Sequence, residues 1–272
     1  MTDIVYGCTP ELSRPGSFLR EGLRDLRAAP RIGRRLFAAQ LRGRARRSLL
    51  GYLWLVLPAA AVTFLCLYLQ SLGVLAAGPT GMPYPLYVLS GVLLWQIFIE
   101  GLNQPVQQLL AARHLISRTR VPHEAILLGA LFDVLLSAAI RLGLLLVAFW
   151  VFEGPAVPGA ALVPGIVGLI LFGFSIGLWV APWALLYDDA RHAVTMAATF
   201  WFFLTPIAYR PVSNGITALN PVTPLLETAR SSLAGGAVSG GFLPVTAAAA
   251  VLLLAGWLLC RLARPHVVER LG

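Results

Sequence analysis

Residues 125–151 read AILLGALFDVLLSAAIRLGLLLVAFWV, and this stretch decides the fold. Its 27 positions include two charged residues, Asp133 and Arg141. As a helix it is about 40 Å long at 1.5 Å per residue. That crosses a bilayer core of about 30 Å. Working outward, comparable apolar runs occupy about 51–73, 85–109, 160–186, 193–209 and 243–262. The fifth run, 193–209, is short and ends beside Pro206. The expected fold is therefore an all-α integral membrane protein with six transmembrane helices. Residues 1–50 precede them as a cytoplasmic or interfacial segment, and 51–272 form the membrane domain.

Composition agrees. Of 272 residues, 58% are hydrophobic and 12% charged, with a mean hydropathy of +0.77. Soluble domains carry about 25% charged residues. A soluble enzyme or nucleic-acid-binding protein is excluded, despite a net charge of +9. All 21 basic residues are Arg, and eleven of them lie within the first 50 positions. The inner segments of a six-span chain hold 18 of the 21. Arg210 and Arg230 fall outside, and Arg141 lies within a span. The positive-inside rule then places the N- and C-termini in the cytoplasm.

The absence of Lys removes the phosphate-binding lysine of a P-loop, so the chain is not expected to hydrolyse ATP. Schiff-base chemistry is excluded likewise. Cys8, Cys66 and Cys260 show no metal or disulfide spacing. The four His (114, 123, 192, 266) lack zincin spacing, and no G-x-S-x-G elbow occurs. No catalytic residue and no metal site are expected. A signal peptide is not expected either, because about 50 polar residues precede the first apolar run.

Residues 17–28, SFLREGLRDLRA, form an amphipathic pattern. Phe18, Leu19, Gly22, Leu23 and Leu26 span one arc, with Arg20, Glu21, Arg24, Asp25 and Arg27 opposite. Ser17 is the expected cap, and Pro30 follows the end. Such a helix belongs on the inner leaflet surface, or packed on a partner protein. The basic stretch 31–50 suits anionic lipid. Between spans five and six, 210–242 holds Pro211, Pro221 and Pro224. It is expected as a re-entrant or interfacial helix, or as a plain surface loop.

Intramembrane charges are functional candidates: Glu100, Asp133 and Arg141. Depth along the helices makes Glu100 and Asp133 neighbours. Arg141 is expected nearer the outer leaflet, snorkelling, structurally paired or lining a pathway. Trp54, Phe64 and Tyr68 in span one, and Phe200, Trp201, Phe203 and Tyr209 at span five, offer flat ring surfaces suited to sugars. Lipid-facing belts and helix packing are the plainer role for such rings. The short basic segment 111–124, AARHLISRTRVPHE, is suited to act as a lever docked on a cytoplasmic partner. A topology loop without a partner is its plainer alternative.

Five stretches together are recognisable: RRSLLGYLWLVLPA (46–59), YPLYVLSGVLLWQIFIEGLNQ (84–104), HLISRTRVPHEAILL (114–128), TFWFFLTPIAYRP (199–211) and LNPVTPLLETAR (219–230). In this order the chain resembles the permease subunit of ABC-2-type exporters of O-antigen, capsule and teichoic-acid polymers. Two positions depart from the family pattern. His123 stands before Glu124 where Arg is usual, and Asp188-Asp189 replaces an Arg-Asp pair.

The resemblance implies a homodimeric permease in the bacterial inner membrane, bound to two copies of a separate ABC ATPase that holds ATP and Mg. No cofactor is expected on this chain. Arg113, His114, Leu115, Ile116, Arg118, Arg120, Pro122 and Glu124 become the ATPase-coupling surface. Arg42, Arg44, Arg46 and Arg47 are suited to the diphosphate of a polyprenyl-linked glycan. The aromatic residues above would line the pathway. An exporter of a drug or small lipid, or a membrane-embedded acyl or glycosyl transferase, are the rival readings.

Overall fold

The computed structural model describes residues 15–47, 53–73, 82–113, 122–154, 159–210 and 216–271. Most of these residues are helical, with no strand among them. In chain order the helices are α1 (Pro15–Arg47), α2 (Leu53–Ser71), α3 (Tyr84–Ala111) and α4 (His123–Glu153). There follow α5 (Leu162–Leu186), α6 (Asp188–Leu204), the single turn α7 (Ile216–Leu219), α8 (Val222–Leu233) and α9 (Phe242–Leu271). Among the described residues, four helices are long and apolar enough to cross a membrane: α3, α4, α5 and the Phe242–Ala263 part of α9. The Val56–Ser71 part of α2 is apolar but shorter. α6 has 17 residues and none of them is buried.

α3 and α5 form the centre. Added Cβ atoms at Gly173 and Gly177 would lie 2.4 Å from the carbonyl oxygens of Phe98 and Leu102. Only small residues permit backbones this close, and close packing is what holds helices together in lipid. The order of these contacts shows α3 and α5 running in the same direction. α4 runs opposite to α3, with Ser137 beside Glu100 and Arg141 beside Gln96. α9 runs with α5, from Phe242 near Gly168 to Cys260 against the Leu178 carbonyl.

α1 corrects the expectation of a helix ending before Pro30. It continues unbroken to Arg47. A proline inside a helix costs about 3 kcal/mol or more. Here the helix on both sides of Pro30 is held by packing. Ala29 is fully buried, and at Gly33 an added Cβ would lie 2.9 Å from the Ala125 carbonyl of α4. The packed side comprises Gly22, Ala29, Gly33 and Leu36, whereas Leu26 is exposed. The helix rests on this chain's own bundle through these residues and through Phe37, whose ring meets Phe132 of α4. Of the expected apolar arc, Gly22 faces the bundle and Leu26 does not, and the side chains of Phe18, Leu19 and Leu23 lie outside the described residues.

Span five also differs from its expected bounds of 193–209. Its helix begins at Asp188 and stops at Leu204, and an extended stretch continues. The 210–242 segment is not a surface loop. Val222, Leu225, Leu226 and Ala229 of α8 are fully buried. α8 folds back along α5, with Leu225 at Gly168 and Ala229 at Gly165.

Candidate functional site

Three polar assemblies distinguish this bundle from a plain apolar one. The first lies where α6 ends. Backbone without helical hydrogen bonds is tolerated at membrane depth only where protein or water satisfies it. Here side chains do so. Arg230 of α8 donates to the carbonyls of Pro206 and Ile207, each at 3.0 Å. The hydroxyl of Tyr84 donates to Ala208, and that of Tyr87 to Tyr209. Four successive carbonyls are thus capped from α3 and α8.

Asn220 completes this assembly. Its amide nitrogen donates to the Leu204 carbonyl and the Thr205 hydroxyl. Its oxygen accepts from the Trp201 indole and the Val222 amide. Glu227 accepts from Arg230 at 2.9 Å. α6, the extended stretch and α8 therefore behave as one stitched element against α3.

Trp201, one of the residues expected to line a pathway, packs against the bundle. Its ring meets Phe98 edge-on at 5.3 Å and Phe172 at 6.2 Å. Phe202 packs on Trp95. Four consecutive aromatics cover every side of one helical turn, so two must face the bundle and two must face away. Phe200 and Phe203 face away, 66% and 70% exposed. Phe64, Tyr68 and Tyr209 are exposed as well. The Trp54 side chain lies outside the described residues.

The second assembly lies between α3 and α4. Arg141 pairs with Glu100, and Ser137 bridges both. Gln96 accepts from Arg141 at 3.3 Å. This corrects the pairing of Glu100 with Asp133 inferred from depth. Side chains lean toward their helix's N-terminus. Glu100 and Arg141 sit on antiparallel helices, so their side chains lean toward each other and close the axial gap. Asp133 is buried two helical turns before Arg141 on the same face.

The third lies at the opposite end of the bundle from the α6 break. Arg261, near the end of the apolar part of α9, donates to Glu124 at 2.7 Å and to Asp25 of α1 at 3.1 Å. Glu124 was expected on the surface offered to a partner. Its carboxylate is turned inward and is spent on Arg261. On the same side Gln40 and Gln108 exchange amide hydrogen bonds, tying α1 to α3. Arg113 is exposed in a cleft of about 420 Å³ together with Gln107, Asp188 and Arg191. Pro122 precedes the first turn of α4.

His114, Leu115, Ile116, Arg118 and Arg120 lie outside the described residues. Arg42 is exposed on α1, with its Nε on the Ala38 carbonyl. Arg44, Arg46 and Arg47 continue the same helix, but their side chains lie outside the described residues. Among the described residues no group of three or more His, Cys, Asp or Glu side chains gathers in a metal-holding arrangement.

Sequence reasoning assigned no structural role to Asn220, Arg230, Tyr84, Tyr87, Asp25 or Arg261. The first four sit inside the quoted stretches 84–104 and 219–230, which was their only signal. Asp25 and Arg261 read as ordinary surface charges.

The chain matches no family model. It is similar to the O-antigen export system permease protein RfbA of Myxococcus xanthus. The two are 25% identical over 203 residues, covering 71% of this chain and 76% of that protein.

Proposed function

We propose, starting from a chain that belongs at family level with the ABC-2-type export permeases, that it forms the membrane pathway of an exporter for a polyprenyl-diphosphate-linked cell-surface glycan. It is a transport subunit and not an enzyme. The observation that carries the reading is the similarity to an O-antigen export permease along 203 residues. Two copies of this chain would enclose the route in the inner membrane, and two copies of a cytoplasmic ATPase would drive it with ATP and Mg.

Six crossings fit this reading: α2, α3, α4, α5, α6 with its extended continuation, and α9. The exposed arginines of α1, including Arg31, Arg34, Arg35 and Arg42, lie away from its packed side. They offer cationic forks to a diphosphate, which planar guanidinium groups bind in bidentate fashion. Arg44, Arg46 and Arg47, later in the same helix, would add to them. Phe200, Phe203, Phe64 and Tyr68 supply exposed rings for a sugar chain. Residues 113–124 are the lever on which the ATPase acts.

The test is reconstitution of the chain with its ATPase in liposomes carrying the lipid-linked glycan on the ATPase side. ATP should bring glycan to the opposite side, and replacing Arg42, Arg44, Arg46 and Arg47 by Gln should weaken binding of the lipid-linked substrate. ATP turnover without glycan movement in the unmodified complex would end this reading.

A further inference from the structure

Besides the ring contact of Phe37 with Phe132 of α4, three contacts among the described residues hold α1 to the rest of the chain. Asp25 meets Arg261 of α9, Gly33 abuts Ala125 and Gly129 of α4, and Gln40 meets Gln108 of α3. Gly33 lies close against the Ala125 carbonyl, Leu128 Cβ and Gly129, which holds the middle of α1. The polar contacts two turns on either side fix the tilt.

The Arg261 contact differs from the Gln pair because it is shared. Glu124, at the last position of segment 113–124 and in the first turn of α4, holds the same Nη1 atom. Trp257, one turn earlier on α9, and Arg261 both flank Gly22, each 3.2 Å from an added Cβ there. The two carboxylates are unequal. Glu124 is 3% exposed and Asp25 30%. Water competes for the Asp25 arm and is kept from the Glu124 arm. Arg261 therefore stays with Glu124 when α1 lets go.

We infer that Arg261 is a positioning residue that passes movement of the first turn of α4 to α1. A shift of Glu124 carries the guanidinium with it, and the guanidinium sets whether Asp25, and with it the first half of α1, is held against the bundle. This inference rests on the exporter reading above, because it makes α1 the element whose tilt the ATPase controls.

The experiment uses the full complex with its ATPase in liposomes, measuring glycan exported and ATP hydrolysed in one sample. Asp25→Asn keeps size and removes charge. Transport per ATP should fall about tenfold, within the range for a residue on a coupling element. Hydrolysis and assembly should stay near the unmodified level, and Asp25→Glu should restore the ratio. Arg261→Lys keeps the charge but loses the fork that serves two carboxylates at once. It should uncouple in the same way, and it carries the test if Asp25→Asn fails to assemble. An unchanged ratio in these variants, or export and hydrolysis falling together, would overturn the inference. An unmodified complex that hydrolyses ATP and exports nothing would instead defeat the exporter reading itself.

Discussion

The guanidinium carbon of Arg230 lies 3.9 Å from the centre of the Tyr87 ring. This stacking places its nitrogens on the carbonyls of Pro206 and Ile207. A cation stacked on an aromatic face gains about 0.5–2 kcal/mol, more when water is excluded. Arg230→Gln should leave at least one buried carbonyl unsatisfied, at about 1–3 kcal/mol each. Arg230→Lys should also destabilise, because a point charge cannot fork to two acceptors. Thermal unfolding in detergent checks both. A Lys variant as stable as the unmodified chain would show that charge alone suffices.

Gly91 is the position that lets Arg230 through. An added Cβ would lie 2.2 Å from Nη2 of Arg230 and 2.6 Å from the Ile207 carbonyl oxygen. Gly91→Ala should therefore cost about 1–3 kcal/mol, the usual penalty for overpacking. Gly143→Ala is the control: nothing lies within 4 Å of its added Cβ, and it sits in the interior of α4. There, loss of backbone freedom should stabilise the helix by about 0.5–1 kcal/mol. Opposite shifts in unfolding temperature are expected.

Glu100 and Arg141 give a double-mutant test. Glu100→Gln or Arg141→Leu alone leaves a buried partner uncompensated, a loss of about 3–5 kcal/mol. The double replacement should cost less than the sum of the two. Strict additivity in detergent-titrated unfolding would mean that the pair contributes nothing as a pair.

Leu115→Asp should abolish ATPase association and export while membrane insertion stays intact. Co-purification of the ATPase with this variant at the normal ratio would remove segment 113–124 from the mechanism.

Orientation can be read by cysteine labelling of intact cells, in a background without Cys8, Cys66 and Cys260. An impermeant maleimide should reach a cysteine at 210 and spare cysteines at 113 and 191. Labelling at 113 or 191 would invert the arrangement proposed for the lever.

The apolar helices were legible because hydropathy sums over some twenty residues and tolerates errors of position. α3, α4 and α5 begin and end within about two residues of the expected bounds, an accuracy that helix-end fraying permits. Local rules failed where packing over long sequence separations took over. Pro30 reads as a terminator, yet α1 passes through it because both flanking turns are packed, with Ala29 buried and Gly33 against Ala125 of α4. Pro206 was visible as a break, but not what satisfies the backbone beyond it, since Tyr84, Tyr87 and Arg230 are distant in sequence.

The amino-acid sequence by itself determined that this chain is a helical membrane protein, poor in charge within its apolar runs and rich in arginine beside them. Burial of apolar surface and the cost of charge in lipid are additive over short windows, so they can be read without a fold. Only the tertiary structure decided which charge meets which. Arg141 reaches Glu100, Trp201 packs on Phe98 and Phe172, and Arg261 joins Glu124 to Asp25. These choices depend on helix direction, rotation and close approach at glycine, which no local pattern encodes.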